Sequence, residues 1–281
     1  MASATIKLFL VHGDAKRLRT AELSNWTGKA VAGPRSELDS VLGRDEAAKS
    51  GVYFLSGTES ESGKAGVYVG EAESIRDRLR GHLDKDWWNH VVFFVSKDEN
   101  LTKAHIRYLE GRLIEQARSA GRAVVMNGQA SGARLPESDR EDMEIFLERV
   151  HQLMPVLGAD ALLPIGSMPA ASAQEQTLIC EIKGLKATGH PIPMGFVVFK
   201  GSQAVLKERA SAHQYPYTLV ARKKLIEDGT LVKRGEHYVF TRDVEFSSPS
   251  AAATVVHGGS ANGLLAWKTR SGKTLRELEA V

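Results

Sequence analysis

In Gly51-Val52-Tyr53-Phe54-Leu55 and again in Gly66-Val67-Tyr68-Val69-Gly70 the chain places a tyrosine in the middle of a short β-rich run. Between the runs lies Ser56-Gly57-Thr58-Glu59-Ser60-Glu61-Ser62-Gly63, a polar segment of turn-forming residues. Strand, turn and strand predict an antiparallel hairpin with an enlarged loop, which brings the two tyrosines onto neighbouring strands.

Outward from the hairpin the pattern changes to helical. Ser74 is placed to cap a helix with Ile75, Leu79 and Leu83 on one face; Arg78 borders that stripe, and Arg76, Arg80 and His82 point elsewhere. Val91-Val92-Phe93-Phe94-Val95 is apolar on both faces and predicts a central strand. A long helix follows, capped by Asn100, with Ile106, Leu109, Leu113 and Ala117 as its apolar stripe, Glu110 beside the stripe, and an end near Gly121. Ser138 with Glu141 has capping-box spacing before an amphipathic helix of Met143, Phe146, Leu147, Val150 and Met154 that runs to Pro155. Upstream, Leu8-Phe9-Leu10-Val11 predicts a buried strand ended by His12-Gly13-Asp14. The class is α+β, a small mixed or antiparallel sheet flanked by helices.

At 281 residues the chain is long enough for two domains. The boundary falls where Ala, Gly, Pro and Ser dominate, as in Gly166-Ser167-Met168-Pro169-Ala170-Ala171-Ser172, dividing the chain into 1–155, a linker 156–175, and 176–281. The second domain is also α+β. Strands are expected at Thr177 to Ile182 and Phe196 to Phe199, divided by Gly189-His190-Pro191; a helix at Tyr217 to Ile226 is stopped by Gly229. Thr230 to Val232 and His237 to Thr241 bracket Lys233-Arg234-Gly235-Glu236 as a hairpin, and Ser248-Pro249 opens a helix closed by Gly258-Gly259 before Asn262-Gly263 and Trp267-Lys268.

Lys plus Arg against Asp plus Glu is 22 to 25 over residues 1–175 and 15 to 9 over 176–281, so the positive charge is concentrated in the second domain. A polyanion is the partner such a charge attracts. Arg222-Lys223-Lys224 and Lys233-Arg234 are its densest clusters, equally compatible with an ordinary solvated face. The only cysteine, Cys180, excludes an intrachain disulfide and a thiolate zinc cluster, and is expected to be buried filler. The short apolar run after Lys7 is too brief for a signal peptide or a membrane span, which predicts a cytosolic protein without membrane contact.

Alone, each strand tyrosine would be expected to pack, and Glu110 to sit in solvent near Arg107. Together, Tyr53, Tyr68, Arg78 ten residues later, His82, Glu110 and Asn127 form an ordered set over about residues 50–130 that resembles the GIY-YIG nuclease family. The resemblance implies hydrolysis of phosphodiester bonds in DNA, in restriction, defence or DNA processing. Glu110 would hold Mg²⁺, with Mn²⁺ as a substitute, while substrate and water complete the shell. Arg78 would grip the phosphate through its planar fork. By the same resemblance Tyr53 is the candidate general base, its phenol to be lowered by Arg78 and the metal, and Tyr68 the candidate to orient water or phosphate, although the residues alone do not assign the two roles between the tyrosines; Asn127 holds the site together through its amide, and His82 assists. Arg76 and Arg80 on the same helix are candidate nucleic-acid contacts, as are Arg222, Lys223, Lys224, Lys233 and Arg234. Two departures from the family pattern bear on cleft shape: a longer segment between the tyrosines, and Gly121-Arg122 inserted before Asn127. Trp87-Trp88 could stack bases or belong to the core. Residues from about 195 to the end resemble a small uncharacterised domain of the DUF4357 type, similar to restriction-adaptor domains, which implies a DNA-reading or adaptor role. The alternative for the whole chain is a catalytically silent nucleic-acid-binding or adaptor protein on a nuclease fold.

Overall fold

A computed structural model describes residues 3–59, 63–128, 132–163, 165, 177–193, 195–209 and 219–280. The chain is α+β and divides into two compact units, Met1–Pro164 and Ile165–Val281. No helix among the described residues is long and apolar enough to cross a membrane.

The first unit is built on seven strands: β1 (Ile6–Leu10), β2 (Arg19–Leu23), β3 (Gly28–Pro34), β4 (Gly51–Thr58), β5 (Ala65–Ala72), β6 (Trp88–Ser96) and β7 (Val124–Val125), ordered β1-β2-β3-β6-β4-β5-β7. All neighbours are antiparallel except β5 and β7. Strand alternation sorts the side chains into two cores. Val52, Phe54, Val69 and Phe94 face α3 (Lys103–Ala120) and α4 (Glu137–Leu153), meeting Leu109, Leu113, Phe146 and Val150. On the other face Leu55, Val91, Phe93 and Val95 pack with Val41 of α1 (Leu38–Leu42) and Ile75 and Leu79 of α2 (Ile75–Arg80). Strand β6 lies between β3 and β4 and is buried on both sides, which accounts for its unbroken apolar run.

The hairpin of β4 and β5, the Ser74 cap and the left-handed Gly121 at the end of α3 stand where the sequence predicts them; Ser60, Glu61 and Ser62 of the hairpin loop lie outside the described residues. Other expectations are corrected. Leu8 and Phe9 are exposed, because β1 is the sheet's edge strand. Thr102, rather than Asn100, caps α3, in a reciprocal capping box with His105. Helix α4 begins one residue before Ser138, which therefore lies inside the first turn and caps nothing. Helix α2 ends at Arg80, leaving Leu83 in the following turn and exposed. The expected linker starts too early: Leu157, Ala159 and Leu162 are buried in the α3/α4 core, and Gly166 to Ser172 lie outside the described residues.

The second unit has a five-stranded sheet and a three-stranded one. The larger, in order β14-β10-β9-β8-β15, uses β8 (Leu178–Ile182), β9 (Leu185–Ile192), β10 (Gly195–Val198), β14 (Val244–Phe246) and β15 (Trp267–Lys268). The smaller pairs β11 (Gln203–Val205) and β12 (Leu231–Arg234) to β13 (His237–Phe240). Among the described residues the unit's helices are α5 (Val220–Glu227), α6 (Pro249–His257), α7 (Gly263–Ala266) and α8 (Leu275–Glu279), around a core that includes Phe196, Phe240, Val255 and Trp267. Ser248 caps α6 with Pro249 at its first position, as expected. Gly189-His190-Pro191 does not separate strands but lies within β9. Strand β8 pairs with β9 only as far as Gly189, so Pro191 sits where β9 has a single neighbour and its missing N–H is tolerated. Tyr217, the expected start of α5, lies outside the described residues. Cys180 is fully buried, with its Sγ 3.1 Å from His257 Nε2.

Candidate active site

The register of β4 and β5 opposes Tyr53 to Gly70 and Leu55 to Tyr68, so both tyrosines project from the same face, two residues out of step. Their ring centroids are 6.1 Å apart. Gly70 is required here: a β-carbon at that position would collide with the Tyr53 phenol, whose ring lies across the glycine. Tyr53 is fully buried and Tyr68 half-buried.

Helix α2 packs on this face through Ile75 and Leu79 and turns Arg78 toward the phenols. Arg78 Nε donates to Tyr53 Oη at 3.2 Å. Just beyond the helix, His82 Nε2 lies 2.8 Å from the same oxygen, and its ring centroid is 5.2 Å from that of Tyr68. The His82 carbonyl accepts from Trp88 Nε1 at 3.1 Å, and Lys85 Nζ stands 5.3 Å over the Tyr68 ring.

Burial dominates the electrostatics. It pushes the Tyr53 phenol up, helped by Tyr68, and the opposing pull of Arg78 is too small to reverse the shift. Arg78 by itself therefore does not lower the phenol. Burial, then Lys85 and Arg78, push His82 down to about 4, leaving a neutral imidazole at pH 7. His82 Nδ1 is buried without a hydrogen-bond partner among the described residues.

Glu110 comes from α3, on the opposite face of the sheet. It nevertheless lines a cleft of about 500 Å³ together with Glu71, Glu73, Asp77, Arg78 and Lys103. The end of β5 makes this arrangement possible. Strand β7 pairs only with Gly66 and Val67, and the Asn127 side chain extends the ladder one step further: Val69 N donates to Asn127 Oδ1 at 3.0 Å, and Asn127 Nδ2 donates to the Val69 carbonyl at 2.7 Å. Past Val69 no described strand pairs with this side of β5, so α3 and α2 can both reach the cleft around its edge.

Four carboxylates in the cleft face two cations, one of which, Lys103, lies 3.3 and 3.2 Å from Glu71 and Glu73. Hard oxygen donors in this excess suit a divalent cation such as Mg²⁺. Among the described residues no three His, Cys, Asp or Glu side chains are grouped as a metal cage, so any ion at Glu110 would draw its other ligands from water and substrate.

Residues 178–279 match the model of a domain of unknown function, DUF4357. No curated protein and no solved structure matches the chain. The DUF4357 match begins at the first residue of β8 and ends at the last residue of α8.

The predicted nucleic-acid contacts divide by burial. In the DUF4357 unit Arg222 is fully buried; its guanidinium donates to the carbonyls of Val255, Val205 and Leu206 and lies 5.0 Å from the Tyr238 ring. It is a core strut and cannot meet a phosphate. Lys223, Lys224, Lys233 and Arg234 are exposed, the last two at the tip of the β12/β13 hairpin. In the first unit Arg76 is also committed to structure, donating to the carbonyls of Leu42 at 2.7 Å and Arg44 at 3.0 Å, whereas Arg80 is exposed beside Asp77. Trp88 belongs to the core, and Trp87 packs half-buried against it. Lys85 and Lys103 were not singled out in the sequence; no periodicity marks them, since each joins its cluster through a turn or an ion pair.

Proposed function

We propose that the first unit is a metal-dependent endonuclease of the GIY-YIG type, acting on DNA that the basic DUF4357 unit helps to retain. One observation carries the proposal: Tyr53, Arg78 and His82 share a single hydrogen-bonded oxygen, and Arg78 also lines the cleft that holds Glu110. A bound Mg²⁺ would supply charge to offset the scissile phosphate in a cleft whose own carboxylates repel it. Arg78 presents its terminal guanidinium nitrogens to a phosphate oxygen while Nε stays on Tyr53.

Tyr68, being half-exposed, is the phenol that meets the attacking water, and the buried Tyr53 serves as its inner partner. As water attacks phosphorus and the bond to the leaving oxygen breaks, the water's proton passes to the phenol pair and the leaving oxyanion takes a proton from solvent. The matching Tyr53 proton crosses its 2.8 Å hydrogen bond to the neutral Nε2 of His82, which releases a proton to solvent before the next turnover. Both phenols therefore stay protonated between turnovers, in accord with the raised Tyr53.

Incubation of plasmid or linear DNA with Mg²⁺ tests this directly. Cleavage is expected for the native protein, and its loss for Glu110→Ala with the fold intact; equal inertness of both across DNA and RNA substrates would remove the proposal. One feature favours a second reading, a catalytically silent nucleic-acid-binding or adaptor protein: burial keeps Tyr53 and His82 neutral and far from the values of an ordinary base. It predicts DNA binding without metal-dependent turnover.

A further inference from the structure

The segment from Gly81 to Trp87 carries both His82 and Lys85, yet it belongs to no helix or strand. Turn hydrogen bonds of its own, from His82 N to the Leu79 carbonyl at 3.0 Å and from Lys85 N to the His82 carbonyl at 3.3 Å, shape its first half, and side chains from elsewhere hold the rest. One such contact comes from Arg35, in the short 3-10 turn Arg35–Glu37 that follows β3. Its guanidinium donates to the Leu83 carbonyl at 2.7 Å, to the Lys85 carbonyl, and at 3.4 Å to the Trp88 carbonyl. It also lies 4.5 Å from the centroid of the Trp88 ring, whose own N–H holds the His82 carbonyl.

We propose that Arg35 is a positioning residue for the phenol cluster: by gathering the carbonyls of Leu83, Lys85 and Trp88 it sets the loop that places His82 against Tyr53 and Lys85 over Tyr68. The proposal rests on the nuclease function proposed above only for its kinetic consequence. The chemistry of the side chain supports it. Three carbonyls approached from one planar group, with an aromatic face beneath, require a fork of donors that also stacks. A lysine ammonium can replace the charge but not the geometry. Arg35 touches neither tyrosine and lies outside the Glu110 cleft, so it acts through the loop and not on substrate.

Arg35→Lys and Arg35→Ala in the full chain test it, read by histidine-labelled NMR and by DNA cleavage. In Arg35→Lys the His82 resonance is expected to shift and its titration midpoint to rise from about 4 toward the ordinary 6.5, as the loop admits water. The turnover rate should fall about a hundred-fold while KM changes less than about twofold, the pattern of a misplaced reacting group. Added guanidinium ion should restore part of both signals in Arg35→Ala. A His82 signal and a turnover rate indistinguishable from native in Arg35→Lys would overturn the proposal. So would equal losses in both variants that track the melting temperature and resist guanidinium rescue. If the native protein cuts no nucleic acid, the nuclease proposal fails separately, while the NMR arm still decides the role of Arg35.

Discussion

Asn127 is the residue whose removal has the most calculable effect. Its amide replaces one step of a β-ladder, accepting from the Val69 N–H and donating to the Val69 carbonyl. Val69 is fully buried, so Asn127→Ala leaves a donor and an acceptor of the main chain without partners at the edge of the core. Each stranded group costs about 1–2 kcal/mol, giving a loss of about 2–4 kcal/mol for the pair. For a unit of this size that corresponds to a fall in Tm of roughly 5–15 °C. Thermal melts followed by circular dichroism, with urea titrations to confirm the free energy, measure it. Asn127→Asp sharpens the test. At neutral pH it keeps the acceptor but sets a carboxylate against the Val69 carbonyl, so it should be no more stable than the alanine variant. Part of the loss should return once the acid protonates below about pH 4 and can donate again. An Asn127→Ala melt within about 1 °C of native, or an aspartate variant indifferent to pH, would refute the view of Asn127 as a splice in the sheet.

Three further outcomes follow from the same structure. Tyr53→Phe removes the oxygen shared by Arg78 and His82 and should slow DNA cleavage by about a hundred-fold or more while the chain stays folded; unchanged turnover in a quench assay would take Tyr53 out of the reaction. Burial pushes the Glu46 carboxyl up, but hydrogen bonds from Arg44 and Lys29 more than offset this and hold it at about 2. Its contribution, of about 3 kcal/mol at most, is therefore complete above the ordinary value of 4.5 and is lost as pH falls toward 2; the difference in stability between native and Glu46→Gln should vanish over that window in urea titrations. Lys233→Ala with Arg234→Ala should weaken DNA retention and flatten its salt dependence by about two counterions, whereas Arg222→Met should lower the melting temperature and leave the salt slope as it is.

Which parts of this architecture were legible in the sequence follows from where the stabilising contacts lie. The β4/β5 hairpin, β6 and the stripes of α3 and α4 announce themselves because burial imposes a period of two or of about 3.6 on contiguous residues. Strands β2 and β3 escaped, since Arg19-Thr20-Ala21-Glu22-Leu23 and Gly28-Lys29-Ala30-Val31-Ala32-Gly33-Pro34 contain no run of large aliphatic residues; Arg19 is buried against His90 and the Leu157 carbonyl, both distant in the chain. Leu8-Phe9 misled for the opposite reason, being apolar residues on an edge strand. In the candidate site, residue type and order could be read, but the direction of the Tyr53 shift could not. That direction depends on how completely α2 and β5 cover the phenol, a property of packing with no local signature. Arg35 is invisible for the same reason: the carbonyls it holds lie about fifty residues further along the chain.

The topology imposes a constraint that links these observations. Tyr53 and Tyr68 point to the α2 face and Glu110 rises from the α3 face, so a continuous sheet would separate the acid from the phenols by its full thickness. They can serve one phosphate only around an edge. Strand β5 offers that edge past Val69 because β7 stops after two residues and Asn127 satisfies the next backbone pair with a side chain instead of with more strand. A longer β7 would bury the Glu71 end of β5 and close the cleft; a β7 without Asn127 would leave Val69 unpaired and let the edge fray. The asparagine thus performs two tasks with one amide, ending the sheet without destabilising it and leaving open the cleft that both Arg78 and Glu110 line. This is why the proposed chemistry needs an asparagine at the end of a strand that is only two residues long.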